Sequence, residues 1–211
     1  MKKTTQILAM LLIFAMVLSA AGCSKDGGKE TTAPVKETAG VLTIAFGAVV
    51  EIVYDETGKL ISLNGINETG EKITAACTGF EGRDVVHCVR SMLRYAYDNQ
   101  LLGDAKTMSV RMGKDSKVPD EEFLPTIIQD TQYLADEECT GIRMVSIALE
   151  DLDSEGNISM EKAKHMAMIY LGAIQTADLG GDEEAVNGIY TFDYEGAACT
   201  VNAVTGLVTA A

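Results

Sequence analysis

The stretches Val41-Leu42-Thr43-Ile44-Ala45-Phe46, Val49-Val50-Glu51-Ile52-Val53-Tyr54 and Leu60-Ile61-Ser62-Leu63-Asn64-Gly65-Ile66 decide the fold. β-Branched and aromatic residues crowd each of them, and short apolar runs bounded by turn residues are strands. Between the second and third lies Asp55-Glu56-Thr57-Gly58-Lys59, a turn in which Gly58 can take positive φ at little cost. The three runs therefore read as an antiparallel meander.

Downstream of the meander the period lengthens. Val85, Val86, Val89, Met92, Leu93 and Ala96 recur at three- and four-residue spacing, which predicts an amphipathic helix over 83–101 ending near Gly103. Residues 107–112 read as a strand. Pro119 stands at the expected start of a second helix, which Phe123, Ile127, Ile128 and Tyr133 carry to about Cys139, and Gly141–Leu149 returns to strand. Beyond an acidic connector, Ser159 is an expected N-cap, and Met160, Ala163, Met166, Ala167 and Tyr170 form the buried stripe of a third helix. A hairpin follows (188–196 and 199–203), then the turn Val204-Thr205-Gly206 and a short strand at Leu207-Val208. The class is α/β, more strictly α+β: a small meander sheet with two helices over 41–150, followed by a helix and antiparallel strands over 157–211.

Upstream, Met1-Lys2-Lys3 is basic, Ile7–Leu18 is apolar but too short for a comfortable membrane span, and Ser19-Ala20-Ala21-Gly22-Cys23 closes the run. Small residues directly before a cysteine resemble a bacterial lipobox, although Ala20 stands where Leu is more usual. That resemblance implies a lipoprotein signal peptide at 1–22, cleavage before Cys23 and diacylation of Cys23, of the palmitate type. Residues 23–40 are polar and aperiodic, a flexible tether that would hold the folded part roughly 20–25 Å from its anchor. The expected location is the extracytoplasmic face of a cell membrane.

The charge balance narrows the partners. Loss of the two leader lysines takes the formal charge from −14 to −16, which phosphate backbones and anionic headgroups both repel. Nucleic acid is therefore not an expected partner, and membrane contact runs through the lipid anchor. An apolar share of 47% with 23% charged residues also excludes wholesale disorder.

The residues Leu42-Thr43-Ile44, Glu51-Ile52, Asp55, Gly58-Lys59-Leu60-Ile61-Ser62, Asn67-Glu68 and Gly70 resemble the extracytoplasmic middle domain of RsgI-type anti-sigma factors, most specifically over Val50–Gly70. That family's middle domain carries a self-cleaving Asn-Pro bond. Gly47-Ala48 occupies the corresponding position here, so the resemblance implies a chain without the internal nucleophile or the tertiary amide. The sigma-binding segment and spanning helix of that family are not found, so anti-sigma activity itself does not carry over. The tail resembles a PepSY-type unit over 157–211, on Ile158-Ser159-x-Glu161-x-Ala163, Tyr190-x-Phe192 and Asn202-Ala203-x-Thr205-Gly206-x-Val208, with Asn202 where Asp is usual. PepSY units bind or restrain partners outside the membrane.

Individual constellations carry less. Asp151-Leu152-Asp153-Ser154-Glu155-Gly156-Asn157-Ile158 follows the order of an EF-hand loop, making Asp151, Asp153 and Glu155 a calcium candidate. Lys162 replaces the bidentate Glu at the twelfth position and no entering helix precedes the loop, so a solvated connector is favoured. Cys77, Cys88, Cys139 and Cys199 form an even set that allows three disulfide pairings in an exported protein, while their apolar surroundings suit buried thiols equally well. His87 and its neighbour Cys88 diverge by about 100° around one helix and cannot form a nucleophile–base pair. His165-Met166-x-Met168 reads as packing rather than a copper site, because Met166 belongs to the core stripe. No catalytic residues are assigned, and no cofactor is expected.

These readings converge on a non-enzymatic, lipid-anchored interaction or regulatory protein whose partner is an envelope or secreted protein. The alternative is a small-ligand or solute-binding lipoprotein, for which about 170 folded residues without Trp and without two similar lobes are few.

Overall fold

In the computed structural model, which describes residues 37–138, 140–173, 178–181 and 184–211, the meander is present as β1 (Thr38–Ala45), β2 (Val49–Asp55) and β3 (Leu60–Gly65). They pair antiparallel, with Leu42 opposite Ile52 and Ile52 opposite Leu63. β4 (Thr107–Met112) adds antiparallel to β1 and β5 (Arg143–Ile147) adds parallel to β4, giving the order β3-β2-β1-β4-β5. The one parallel pair is the one whose strands are joined through a helix, since parallel neighbours need a long crossover.

Four helices accompany the strands: α1 (Glu68–Ala76), α2 (Val85–Asp98), α3 (Phe123–Glu137) and α4 (Met160–Leu171). The spacing read for 83–101 is realised in α2, which buries Val85, Cys88, Val89, Met92, Leu93 and Ala96. α1 carries no apolar periodicity in the sequence, because its nine residues bury only Gly70 and Ile73. Its signal was local: Asn67 caps the helix, and Glu68 and Glu71 sit in the first turn where the helix dipole favours anions. α3 begins at Phe123 rather than at Pro119. Asp120 Oδ1 accepts from Glu122 N at 2.9 Å and holds 119–122 as a turn. The later start puts Pro125 in the first helical turn, where its missing N–H costs nothing; a start at Pro119 would have put it in the interior.

From α4 onward the expected helix, hairpin and short strand appear. Ser159 caps α4 through Lys162 N, and Gly172 ends it at φ 69°. β7 (Ile189–Tyr194), β8 (Ala197–Asn202) and β9 (Val208–Ala210) form an antiparallel sheet, to which β6 (Gly180–Gly181) adds at the β7 edge. β6 has no hydrophobic pattern to betray it.

Two hydrophobic cores result. The first lies between one face of the larger sheet and α2 and α3, with Leu42, Ile52, Tyr54, Met92, Val110 and Ile127 fully enclosed. The second lies on the opposite face of the β4–β5 edge. There Val145 and Ile147 meet Met166 and Ala167 of α4 and Phe192, Cys199 and Val201 of the smaller sheet. Alternation along β5 explains this division, since Met144 points to the first core while Val145 and Ile147, on the other face of the strand, point to the second.

Polar contacts reinforce the second junction. Ser109 Oγ donates to Gly206 O at 2.8 Å, the Arg111 guanidinium donates to Gly156 O, and Lys114 Nζ donates to Ser154 O. The Lys106 ammonium stands 4.9 Å from the Tyr170 ring centroid, a cation–π contact.

Candidate functional site

Two places combine exposure with built geometry. The first is the β1–β2 turn at Gly47-Ala48. Gly47 has φ 101°, and Phe46 N donates to Ala48 O at 3.0 Å. Asn67 holds this turn from outside: its Nδ2 donates to Gly47 O at 2.8 Å, and its Oδ1 accepts from Val49 N at 2.9 Å while also accepting from Gly70 N at 2.8 Å. One amide thus caps α1 and fixes a turn twenty residues upstream. Gly70 has to be glycine, because a Cβ there would run into Val49 O. A cavity of about 440 Å³ opens beside the turn, with Gly47, Thr69, Asp104 and Tyr170 on its walls. Phe46-Gly47-Ala48-Val49 supplies no side-chain nucleophile.

The second is a groove of about 770 Å³ along the outer side of β5. Leu124, Ile128 and Leu149 give it an apolar floor, and Val118, 44% exposed, stands at one end. Asp120, Glu121 and Glu150 supply the charges, and among the described residues no basic side chain lines it. Ser146 of β5 faces it.

Two of the three calcium candidates, Asp151 and Asp153, are already engaged. Asp151 Oδ2 accepts from Ala148 N at 2.9 Å and lies 3.0 Å from Lys162 Nζ. Lys162, the residue that breaks the loop pattern, therefore occupies Asp151 with its own charge. Asp153 Oδ1 accepts from Glu155 N at 2.8 Å and from Asn157 N at 2.9 Å. The Asn157 amide foremost, with that of Glu155, holds this carboxyl below its ordinary range. Glu155 is exposed. Among the described residues no three His, Cys, Asp or Glu side chains converge as a metal site would require.

Cys77, Cys88 and Cys199 are buried free thiols. Cys77 and Cys88 belong to the first core and Cys199 to the second. Burial raises Cys77, and it pushes Cys88 and Cys199 up to about 11, with Cys77 nearby adding to the effect on Cys88. Cys139 lies outside the described residues, as do Cys23 and the leader and tether to residue 36. His87 is exposed 3.4 Å from Arg83 Nη1, and His165 is exposed on α4. Neither imidazole has a thiol or hydroxyl partner among the hydrogen bonds of the described residues. No helix of the described residues is long and apolar enough to cross a membrane.

The sequence offers Asn67 only as part of the family resemblance, and Gln132 and Ser146 not at all. Only Asn67 left a trace there, as a capping residue ahead of Glu68; the other two matter through partners far away in the chain.

A sequence model of the family described as "Anti-sigma factor RsgI-like central domain" matches residues 48–168, more than half of the chain. Its span takes in the strands after the Gly47 turn, α1 to α3, the acidic connector and most of α4. No curated protein matches the chain.

Proposed function

The chain belongs to the family of the RsgI-like anti-sigma factor central domain, and from that premise we propose that it is a lipid-anchored regulatory protein of the extracytoplasmic face that acts by binding another protein. The family match over 48–168 is the observation that carries this reading, because it covers β2 to β5 of the larger sheet and the helices α1 and α3 beside the two exposed sites. Such a family points to a protein partner of a regulatory kind and away from nucleic acid, in keeping with a net charge of −14.

The finer parts of the proposal rest on the sequence. The run before Cys23 supports export and acylation there, and a short tether raises the effective concentration of the folded part for partners at the same membrane. The order of α4, β7, β8 and β9 supports a PepSY-like unit over 157–211 that adds a second binding surface. Gly47-Ala48, in a turn without a nucleophile, supports action by binding without self-cleavage.

Crosslinking on intact cells, followed by identification of the captured chains, tests the reading. A reproducible envelope or secreted partner is the expected result. A retained small molecule in native mass spectrometry, with no protein captured, would instead favour a solute-binding lipoprotein. Cys23→Ala should leave the precursor unprocessed or release the protein; unchanged membrane retention overturns the anchor.

A further inference from the structure

We propose that the outer edge of β5, with the groove beside it, binds an extended basic segment of a protein partner by strand addition; this rests on the protein-partner reading above. β5 is the terminal strand of the larger sheet. Arg143 N donates to Lys106 O, so residues 143, 145 and 147 turn their amides toward β4, and 144 and 146 turn theirs outward.

The two ends of that outward edge are closed by side chains. Gln132 of α3 behaves as a one-residue substitute for a neighbouring strand: its Oε1 accepts from Met144 N at 2.8 Å, and its Nε2 donates to Ile142 O at 3.2 Å. At the other end Asp151 Oδ2 takes Ala148 N. Between them the Met144 carbonyl and both backbone groups of Ser146 have no partner among the described residues. Proteins ordinarily blunt such edges. This one is blunted everywhere except beside an apolar groove.

An antiparallel residue opposite Ser146 would exchange two hydrogen bonds with it, and a third is open at Met144 O. Alternation then sends every second side chain of the added segment into the groove over Leu124, Ile128 and Leu149. The charges choose the occupant: Asp120, Glu121 and Glu150 flank the apolar floor with no base among the described lining residues to offset them. That arrangement favours Lys or Arg on either side of an apolar residue and disfavours a second copy of this acidic chain.

The test uses the full chain in detergent and, as probe, a fluorescent octapeptide of alternating valine and lysine. Saturable binding is expected, with backbone amide shifts centred on Ser146. Methylating alternate peptide nitrogens, which keeps charge and apolar area but removes ladder donors, should weaken binding at least tenfold. Ser146→Pro should do the same, and Glu150→Lys should weaken the probe severalfold with the edge intact. Equal binding of the methylated peptide, or shifts away from β5, overturns the proposal. So does a dimer of the native chain that Ser146→Pro dissociates, which would make a second copy the occupant. In cells, protein adducts from a photoreactive residue at Val118 that Ser146→Pro abolishes support both readings. Adducts from Val204 on the β8–β9 turn but none from Val118 overturn strand addition and leave the protein-partner reading standing.

Discussion

Ser109 Oγ on β4 donates a buried 2.8 Å hydrogen bond to Gly206 O in the β8–β9 turn, so residues 97 positions apart in sequence join the larger sheet to the C-terminal hairpin. Gly206 has φ 75°, and a Cβ there would stand 2.8 Å from both Ile147 Cδ1 and Ser109 Oγ. Glycine is required for space as well as for backbone conformation.

Gly206→Ala should therefore destabilise the protein by about 1–3 kcal/mol, from the strained φ and the displaced Ile147. Ser109→Ala should cost about 1 kcal/mol by leaving Gly206 O without its donor. Urea unfolding measures both. Because the two residues touch, the double variant should cost less than the sum of the singles.

Asn67→Ala removes three hydrogen bonds at once, one capping α1 and two holding the 47–49 turn. A loss of about 2 kcal/mol is expected. Limited proteolysis should then cut first near Gly47, whereas a capping effect alone would expose only residues around α1.

Cys88 and Cys199 bear on alkaline stability, and the sign follows from burial. Each rises from an ordinary 9.0 to about 11 in the folded protein, because the thiolate is the form that burial penalises. Unfolded chains lose these protons first, so stability is full below about pH 9 and falls as pH climbs toward 11. Thermal melts across that window should show the decline. Cys88→Ala should flatten it while lowering the melting temperature at neutral pH, and thiol reagents should modify the native protein far more slowly than the denatured one.

The Lys162–Asp151 pair predicts how the acidic connector treats calcium. With the Lys162 ammonium 3.0 Å from Asp151 and backbone amides on Asp153, calorimetry at millimolar calcium should record no binding heat. Lys162→Ala should cost about 1 kcal/mol, since this pair is partly buried rather than fully solvated. A substantial heat from the native chain would show that the loop opens to the ion.

The sequence by itself determined the strands of the meander, the face that α2 buries, and the succession of α4, β7, β8 and β9, because each rests on a local period or a local cap. Tertiary structure alone decided the rest. Alternation on β5 splits Met144 from Val145 and Ile147, but only the packing of α4 and β7–β8 behind that edge turns the second face into a core. Pro125 could be tolerated only in a first turn, yet the start of α3 became visible once the Asp120 turn was placed. Asn67 reaches a turn twenty residues away, Gln132 closes a strand edge from a helix, and Ser109 meets Gly206 across the chain. Hydrogen bonds of this kind carry no sequence period, so the sites they build exist only after the chain has folded.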